Sequence, residues 1–176
     1  MRSYEMAAPN PKRSVIVLWL IPAAAAREFF RQTIKRLARE CAAPLFEPHL
    51  TLGVTADPPD LPRELAVSPI QLKPLGIFWS ATFTKTLFVR MRATPQLEAL
   101  RTSLGQEDHL PDPHLSLLYK ETSAEEKARL ATRLVLPFSS VTFDTVQAVR
   151  CQNPTTTQAD VESWEPIASS PFLSVF

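Results

Sequence analysis

The sequence predicts an internally duplicated α+β protein of two lobes with a cleft between them. A five-residue pattern, proline-histidine-leucine-hydroxyl-leucine, occurs twice, at residues 48–52 and 113–117. A predicted strand and helix precede each copy, so the order of elements is itself repeated. A length of 176 residues, 45% of them hydrophobic and 21% charged, is typical of one soluble domain or two small lobes. We expect a polar, flexible N-terminal tail at residues 1–12 and a single bilobal domain at residues 13–176.

Local patterns in the first part of the chain predict a strand, a long helix and the first motif strand. Valine and isoleucine favour a strand immediately before Pro22. Phe30, Ile34 and Leu37 recur at helical spacing in the segment that follows. The predicted elements are strand 14–21, helix 23–42 and motif strand 45–54.

The second part of the chain repeats this order after two further strands. Pro95 suits the first turn of a helix, and Ser123 with Glu126 three positions later fits a capping box. The predicted elements are strands 70–79 and 82–92, helix 95–104, motif strand 114–119, helix 122–134, strand 139–151, a turn-rich loop 153–158 and strand 161–167.

The apolar segment at residues 14–21 also has features of a secretory signal peptide. Two basic residues precede it, and alanines follow at residues 23–26. We interpret it as a buried first strand, because its residues favour a strand and the alanines continue into an amphipathic helix. It is too short to span a bilayer, and Pro22 ends it. We therefore expect a cytoplasmic protein with no membrane partner.

Each motif places a histidine and a hydroxyl on one face of a strand. Residues i and i+2 of a strand point to the same side, which pairs His49 with Thr51 and His114 with Ser116. A single copy would fit the ordinary alternation of a half-exposed strand, whereas two copies that use two of only three histidines favour a functional site. Two adjacent imidazoles and two hydroxyls can bind a phosphate and move protons on both sides of it. The sequence does not assign which histidine is base and which is acid.

The other residues that could take part in a site are interpreted as having no functional role. His109 is predicted as a surface histidine in an acidic loop, and Lys85 and Arg90 as residues of a solvated strand face. The basic face of the first helix is likewise predicted to face solvent. Neither motif contains a carboxylate or thiolate at metal-ligand spacing, so no metal or cofactor is expected. For Cys41 and Cys151 the sequence leaves a disulfide open, and we favour two buried or partly buried free thiols.

The sequence around the motifs extends the pattern beyond the histidines. The segments that carry it are Trp-Leu-Ile-Pro at 19–22, Phe-Glu-Pro-His-Leu-Thr at 46–51, Pro-His-Leu-Ser-Leu-Leu-Tyr at 113–119, Thr-Ser-Ala-Glu-Glu-Lys at 122–127 and Glu-Ser-Trp-Glu at 162–165. Together they resemble the 2H phosphoesterase superfamily, and within it the cyclic phosphodiesterases of the plant and fungal type. The resemblance covers residues 14–167.

This resemblance implies a bilobal 2H phosphoesterase-like fold, with antiparallel sheets, a central cleft and helices outside. It implies metal-independent hydrolysis of nucleoside 2',3'-cyclic phosphates to 2'-phosphates. It also implies opening of ADP-ribose 1'',2''-cyclic phosphate, a by-product of tRNA splicing, to the 1''-phosphate. The implied site consists of the catalytic pair His49 and His114, the phosphate-binding hydroxyls Thr51 and Ser116, and the aromatic residues Trp19 and Tyr119 beside the nucleoside.

The two aromatic residues have alternative interpretations. Trp19 lies in a predicted core strand, where tryptophan commonly serves packing alone. Tyr119 falls on the opposite face from His114 in a regular strand, so a bend at the strand end would be needed to bring it to the cleft.

Two other functions remain open at the level of sequence. An RNA-processing 2H protein, either 2'-5' ligase-like or an RNA-end exonuclease, would be expected to show a basic RNA track, and the net charge of +1 argues against one. A non-catalytic nucleotide-binding module would not require intact histidines and hydroxyls in both motifs. We expect a monomer that acts on a small cyclic nucleotide and has no stable nucleic-acid partner.

Overall fold

The computed structural model describes residues 11–106 and 112–173, which form eight β-strands and four α-helices. The elements are β1 (Arg13–Pro22), α1 (Ala24–Cys41), β2 (Leu50–Thr55), β3 (Ile70–Leu72), β4 (Pro74–Trp79), a 3-10 helix (Phe83–Lys85), β5 (Leu87–Met91), α2 (Pro95–Ser103), β6 (His114–Leu118), α3 (Ala124–Thr132), β7 (Val141–Asn153), α4 (Gln158–Glu162) and β8 (Glu165–Pro171). Most of the predicted tail and His109 lie outside the described residues.

The strands form one antiparallel sheet whose two halves meet at a single point. The strand order is β3-β7-β1-β2-β6-β5-β4, and β8 also pairs with β7. Strands β2 and β6, which carry the two motifs, pair only through Leu50 and Leu115. This junction divides the sheet into a larger first lobe and a second lobe of β4, β5 and β6. The predicted α+β fold with antiparallel strands is confirmed.

Helix α1 follows the predicted pattern and covers one face of the sheet. Its buried side chains recur at helical spacing, and they are Ala26, Phe30, Thr33, Ile34, Leu37 and Ala38. Of these, Ala26, Phe30 and Leu37 pack with the leucines of the motif strands in the main core. A smaller cluster that includes Trp19 and Cys151 packs separately from this core.

The register of β1 against β2 slips by one residue inside the first motif. Leu18 pairs with Gly53 but Trp19 pairs with Thr51, so Leu52 is an extra residue in β2. Such an insertion inverts the alternation of side chains beyond it.

The second lobe has the same slip at the equivalent position. Leu87 pairs with Leu118 but Phe88 pairs with Ser116, so Leu117 is the extra residue in β6. The second lobe therefore repeats the order of strand, helix and motif strand seen in the first lobe. It also repeats the extra residue in the motif strand.

The slip turns the residue two positions after each motif toward the cleft. Beyond the extra leucine, Val54 and Tyr119 take the face occupied by Thr51 and Ser116. The bend that Tyr119 needed to reach the cleft is this change of register.

Three predicted strands have different boundaries in the structure. The predicted strand 70–79 is two strands at opposite ends of the sheet, because β3 pairs with β7 while β4 pairs with β5. The predicted strand 82–92 begins as the 3-10 helix Phe83–Lys85 before β5. The first motif strand begins at Leu50 instead of residue 45.

The predicted strand 161–167 was wrong in its first half. Thr157 caps α4 by accepting a hydrogen bond from the amide of Asp160, and the Asp160 carboxylate accepts one in return. This reciprocal capping favours a helix at residues where the local pattern suggested a strand. Asp160 also forms an ion pair with Lys12 at 2.6 Å, which ties the end of the predicted tail to α4.

A buried arginine stabilises the extra residue of β2. Arg101 on α2 is 4% exposed, and its Nε donates a hydrogen bond to the carbonyl of Leu52 at 2.7 Å. It also pairs with Glu98 at 2.9 Å. A carbonyl displaced from the strand ladder thereby gains a charged donor.

Replacement of Arg101 by methionine should lower the free energy of unfolding by about 3 kcal/mol, because it leaves the buried Leu52 carbonyl without a donor. Chemical denaturation followed by circular dichroism measures this change. The matched control Arg36→Met alters an exposed arginine of α1 and should change the free energy by less than about 0.5 kcal/mol. Equal effects of the two substitutions would contradict the structural role of Arg101.

Candidate active site

All six residues predicted for the site line one cleft of about 330 Å³, where the two lobes meet. They are His49, His114, Thr51, Ser116, Trp19 and Tyr119. The structure thus brings together residues from both motifs and from β1.

Both histidines are held by the same hydrogen bond. Nδ1 of His49 lies 2.6 Å from the backbone carbonyl of Glu47, and Nδ1 of His114 lies 2.8 Å from that of Asp112. A carbonyl only accepts hydrogen bonds, so each Nδ1 carries the proton and donates it. In each neutral ring Nε2 is then the basic nitrogen, and it makes no hydrogen bond to the described residues. Two imidazoles with the same tautomer therefore line the cleft.

His49 is strongly biased toward its neutral form. Its side chain is 6% exposed and stacks on Trp19 with ring centroids 3.8 Å apart. Burial lowers the pKa of His49 to about 4, and the neighbouring His114 acts in the same direction, whereas the hydrogen bond to Glu47 opposes the shift. Charging this imidazole therefore costs free energy.

His114 occupies a more open position. It is half-buried, and its ring packs edge-on with the ring of Phe88, with the ring centroids 5.3 Å apart. Burial and the charge of Lys85 lower its pKa, while the carbonyl and the carboxylate of Asp112 oppose the shift. His114 is less buried than His49, so protonating it costs less desolvation and it is the easier of the two to protonate.

The two hydroxyls differ in their hydrogen bonds. Ser116 is buried and donates to the backbone carbonyl of Thr84 at 2.8 Å. Thr51 is half-buried and makes no side-chain hydrogen bond within the described part of the chain. Thr51 can therefore donate to an anion directly, whereas Ser116 must first release Thr84.

The predicted aromatic residues lie in the cleft wall and are largely covered. Trp19 is 3% exposed beneath His49, and Tyr119 is 2% exposed and stacks on Phe46 at 3.9 Å. Burial raises the pKa of the Tyr119 hydroxyl, with the nearby Ser116 side chain opposing it, so Tyr119 stays protonated. Trp19 supports His49 by stacking on it, and Tyr119 packs in the wall of the same cleft.

Trp164 is the aromatic residue that the site prediction omitted. It is half-buried, lines the cleft and meets Trp19 edge-on at 5.2 Å and Tyr119 at 5.7 Å. Its segment, residues 162–165, belongs to the family resemblance, but no local sequence pattern predicts that Trp164 packs against Trp19 of β1. The cleft is completed by apolar and small polar side chains from β1, β7 and the loops, which include Val15, Val17, Thr84, Asn153 and Thr155.

Four basic residues predicted to face solvent form ion pairs; of these, Arg31 and Arg90 are exposed, as predicted, and Arg27 and Lys85 are half-buried. Arg27 and Arg31 of α1 pair with Glu47, and Lys85 and Arg90 pair with Asp112. The sequence signal that could have found them is the acidic residue two positions before each motif histidine.

Cys41 and Cys151 are free thiols, and burial raises the pKa of Cys151, which lines the cleft, to about 12. Among the described residues, no three histidine, cysteine, aspartate or glutamate side chains cluster as metal ligands. No described helix is long and apolar enough to cross a membrane.

Comparisons with known proteins concern the fold and the sequence as a whole. No protein-family model matches the chain. A protein named cyclic phosphodiesterase, from Arabidopsis thaliana, is 26% identical over 172 residues, which cover 89% of this chain and 94% of that protein. The crystal structure of E. coli LigT with phosphate superposes with a TM-score of 0.54 at 15% identity, and covers 92% of this chain and 98% of LigT. The apo form of LigT gives the same TM-score at 14% identity and the same coverage.

These findings identify the fold. The fold is that of the 2H phosphoesterases, the superfamily to which LigT belongs, and the resemblance seen in the sequence is confirmed.

The buried, neutral His49 should make folding sensitive to acid. An unfolded chain protonates this histidine below about pH 6.5, whereas the folded protein does so only near pH 4. Stability should therefore fall as the pH drops through this window, by on the order of 3 kcal/mol from His49.

The variant His49→Gln isolates this contribution. Between pH 7 and pH 4, the free energy of unfolding of the unmodified protein should decline by about 3 kcal/mol more than that of the variant. Denaturation curves in phosphate-free buffer measure both. Parallel pH dependences would show that His49 is not held neutral by burial.

Proposed function

We propose that the protein hydrolyses cyclic phosphodiesters without a metal or cofactor, by paired-histidine acid-base catalysis. Its substrates in this proposal are nucleoside 2',3'-cyclic phosphates, opened to 2'-phosphates, and ADP-ribose 1'',2''-cyclic phosphate, opened to the 1''-phosphate. The observation that carries the proposal is the pair of histidines in one cleft, each with Nδ1–H bound to a carbonyl and Nε2 left for chemistry. The protein would act as a cytoplasmic monomer on a small molecule.

The different burial of the two histidines supports an assignment of their roles. Burial keeps His49 neutral in the resting protein, so its Nε2 is free to accept a proton from the attacking water. A bound phosphodiester is an anion and favours a protonated imidazole nearby, which His114 provides at lower cost. In this mechanism the water oxygen bonds to phosphorus, the bond from phosphorus to the 3'-oxygen breaks, and His114 protonates that oxygen.

The hydroxyls are assigned to the non-bridging phosphate oxygens. Negative charge grows on these oxygens as water attacks, and fixed donors stabilise it. Thr51 is available for this role in the ligand-free protein, and Ser116 becomes available when it releases the carbonyl of Thr84.

The nucleoside is assigned to the first-lobe side of the cleft. Trp164 offers a half-buried aromatic surface there, beside the apolar Val15 and Val17. Trp19 and Tyr119 are nearly covered, so Trp19 contributes by stacking on His49 and Tyr119 by packing against Trp164.

The direct test is incubation of the purified protein with both classes of cyclic phosphate in the presence of a chelator. Phosphorus NMR should show the 2'-phosphate and the 1''-phosphate as products. Mononucleotide substrates and short RNAs with a 2',3'-cyclic end should be compared. Turnover of RNA ends alone would favour the RNA-processing alternative, and binding without turnover would favour a non-catalytic module.

His49→Ala and His114→Ala should each lower kcat by about a hundredfold or more, the scale of lost acid-base assistance. The assigned roles predict a further difference on an analogue with sulfur in place of the leaving 3'-oxygen. A thiolate leaves without protonation, so His114→Ala should retain more of its activity on this analogue than His49→Ala does. Steady-state kinetics measure both, and near-normal activity of either variant would refute the paired mechanism.

Thr51→Ala and Ser116→Ala should weaken binding of a 2'-nucleotide product by about 1–3 kcal/mol, the scale of a hydrogen bond to a charged group. Thr51→Ala should have the larger effect, because Ser116 must exchange its bond to Thr84 for one to phosphate. Thr51→Ser keeps the oxygen and serves as the matched control. Isothermal titration calorimetry measures the affinities, and unchanged affinity in both alanine variants would show that neither hydroxyl contacts phosphate.

A further inference from the structure

An acidic residue precedes each motif histidine by two positions, and each is held by two cations. In the first lobe, Oε1 of Glu47 accepts a hydrogen bond from Nε of Arg27 at 2.5 Å. Oε2 of the same carboxylate accepts from Nη2 of Arg31 at 2.9 Å. We call this group of three residues the first clamp.

The second lobe contains an equivalent group. Oδ1 of Asp112 accepts a hydrogen bond from Nε of Arg90 at 2.6 Å, and Oδ2 accepts from Nζ of Lys85. Burial raises the pKa of Asp112, but the hydrogen bonds and charges of Lys85 and Arg90 outweigh it and lower the pKa overall. We call these three residues the second clamp.

The cations of the two clamps come from unrelated elements. Arg27 and Arg31 lie one turn apart on α1. Lys85 belongs to the 3-10 helix, and Arg90 pairs with His114 across β5 and β6. The two lobes therefore reach the same arrangement from different parts of the fold.

The clamps lie where the backbone has little other support. Glu47 and Asp112 stand outside the strands, and no backbone–backbone hydrogen bond within the described ranges involves either of them. The next residue in each case is a proline, which has no amide hydrogen to donate. The carbonyls that fix the histidine tautomers thus belong to residues anchored through their side chains.

We propose that Glu47 and Asp112 are positioning residues for His49 and His114. Each clamped carboxylate fixes the backbone carbonyl of its own residue, and that carbonyl holds Nδ1–H of the histidine and directs Nε2 into the cleft. The effect on turnover rests on the proposed function, whereas the effect on the histidine tautomer does not.

Glu40 provides a matched control, because it is a glutamate bound by two arginines, as Glu47 is, but at a distance from the motifs. Glu40 is bound by Arg129 at 2.9 Å and by Arg133 at 2.6 Å, on the outer surface of α1 and α3. It does not line the cleft. Surface pairs of this kind usually contribute little to stability and should contribute nothing to histidine geometry.

The test compares Glu47→Gln and Asp112→Asn with Glu40→Gln. Both clamp variants should lower kcat by about tenfold to a hundredfold, the usual cost of losing an orienting partner of histidine, with KM changed less than about threefold. Glu40→Gln should change neither. Glu47→Asp and Asp112→Glu keep the carboxylate and should recover part of the lost turnover.

Nitrogen-15 NMR of the histidine rings provides the readout that does not depend on activity. The unmodified protein and Glu40→Gln should show protonated Nδ1 in both neutral rings. Each clamp variant should show a mixture of tautomers in its own histidine only.

The outcomes separate the two proposals. Unchanged kcat and unchanged ring spectra in the clamp variants would overturn the positioning role. A loss of stability like that of Glu40→Gln, without a tautomer change, would overturn it as well. If the unmodified protein fails to open cyclic phosphates, the proposed function fails, and the ring spectra still decide the role of the clamps.

Discussion

The pairing of Leu50 with Leu115 is the contact on which the site depends. It is the single residue pair that joins β2 to β6, and both side chains are fully buried. Each leucine directly follows a motif histidine, so this pair sets His49 and His114 beside one another across the lobe boundary. Helix α1 contacts β6 as well as β1, which adds packing behind the junction. Burying both leucines keeps the motif strands in contact, and the single pair leaves the lobes free to diverge on either side as a cleft.

The two lobes repeat one plan but give their histidines different environments. Both rings donate Nδ1–H to a carbonyl two residues earlier, and both motif strands contain an extra leucine at the same place. An aromatic ring faces each histidine, but Trp19 stacks on His49 at 3.8 Å while Phe88 meets His114 edge-on at 5.3 Å. Acid-base catalysis of a single step needs one base and one acid. In the proposed mechanism, unequal burial provides this difference within a duplicated fold.

The net charge does not show how the charged residues are distributed around the two motifs. A net charge of +1 suggests an unremarkable surface, yet pairs of cations converge on the two acidic residues beside the motifs. Each clamp contains two cations and one carboxylate, so each motif lies near an excess positive charge. Local arrangement, and not the total, decides whether an anion such as a phosphodiester is attracted to the cleft.

The sequence by itself determined the parts of this protein that depend on short-range patterns. The spacing of histidine and hydroxyl indicated one face of each motif strand, and the spacing of Phe30, Ile34 and Leu37 indicated α1. The duplicated motif was enough to predict that both histidines would share a cleft, which the fold confirms. These features are local because strand and helix geometry relate residues only a few positions apart.

Only the tertiary structure decided the features that require partners distant in the chain. The register slip that brings Tyr119 into the cleft is set by β5, and the split of residues 70–79 follows from pairing with two different strands. The packing of Trp164 against Trp19 and the lowered pKa of both motif histidines depend on the same long-range packing. Desolvation and cross-strand pairing arise only when separate segments meet, so no local pattern contains them.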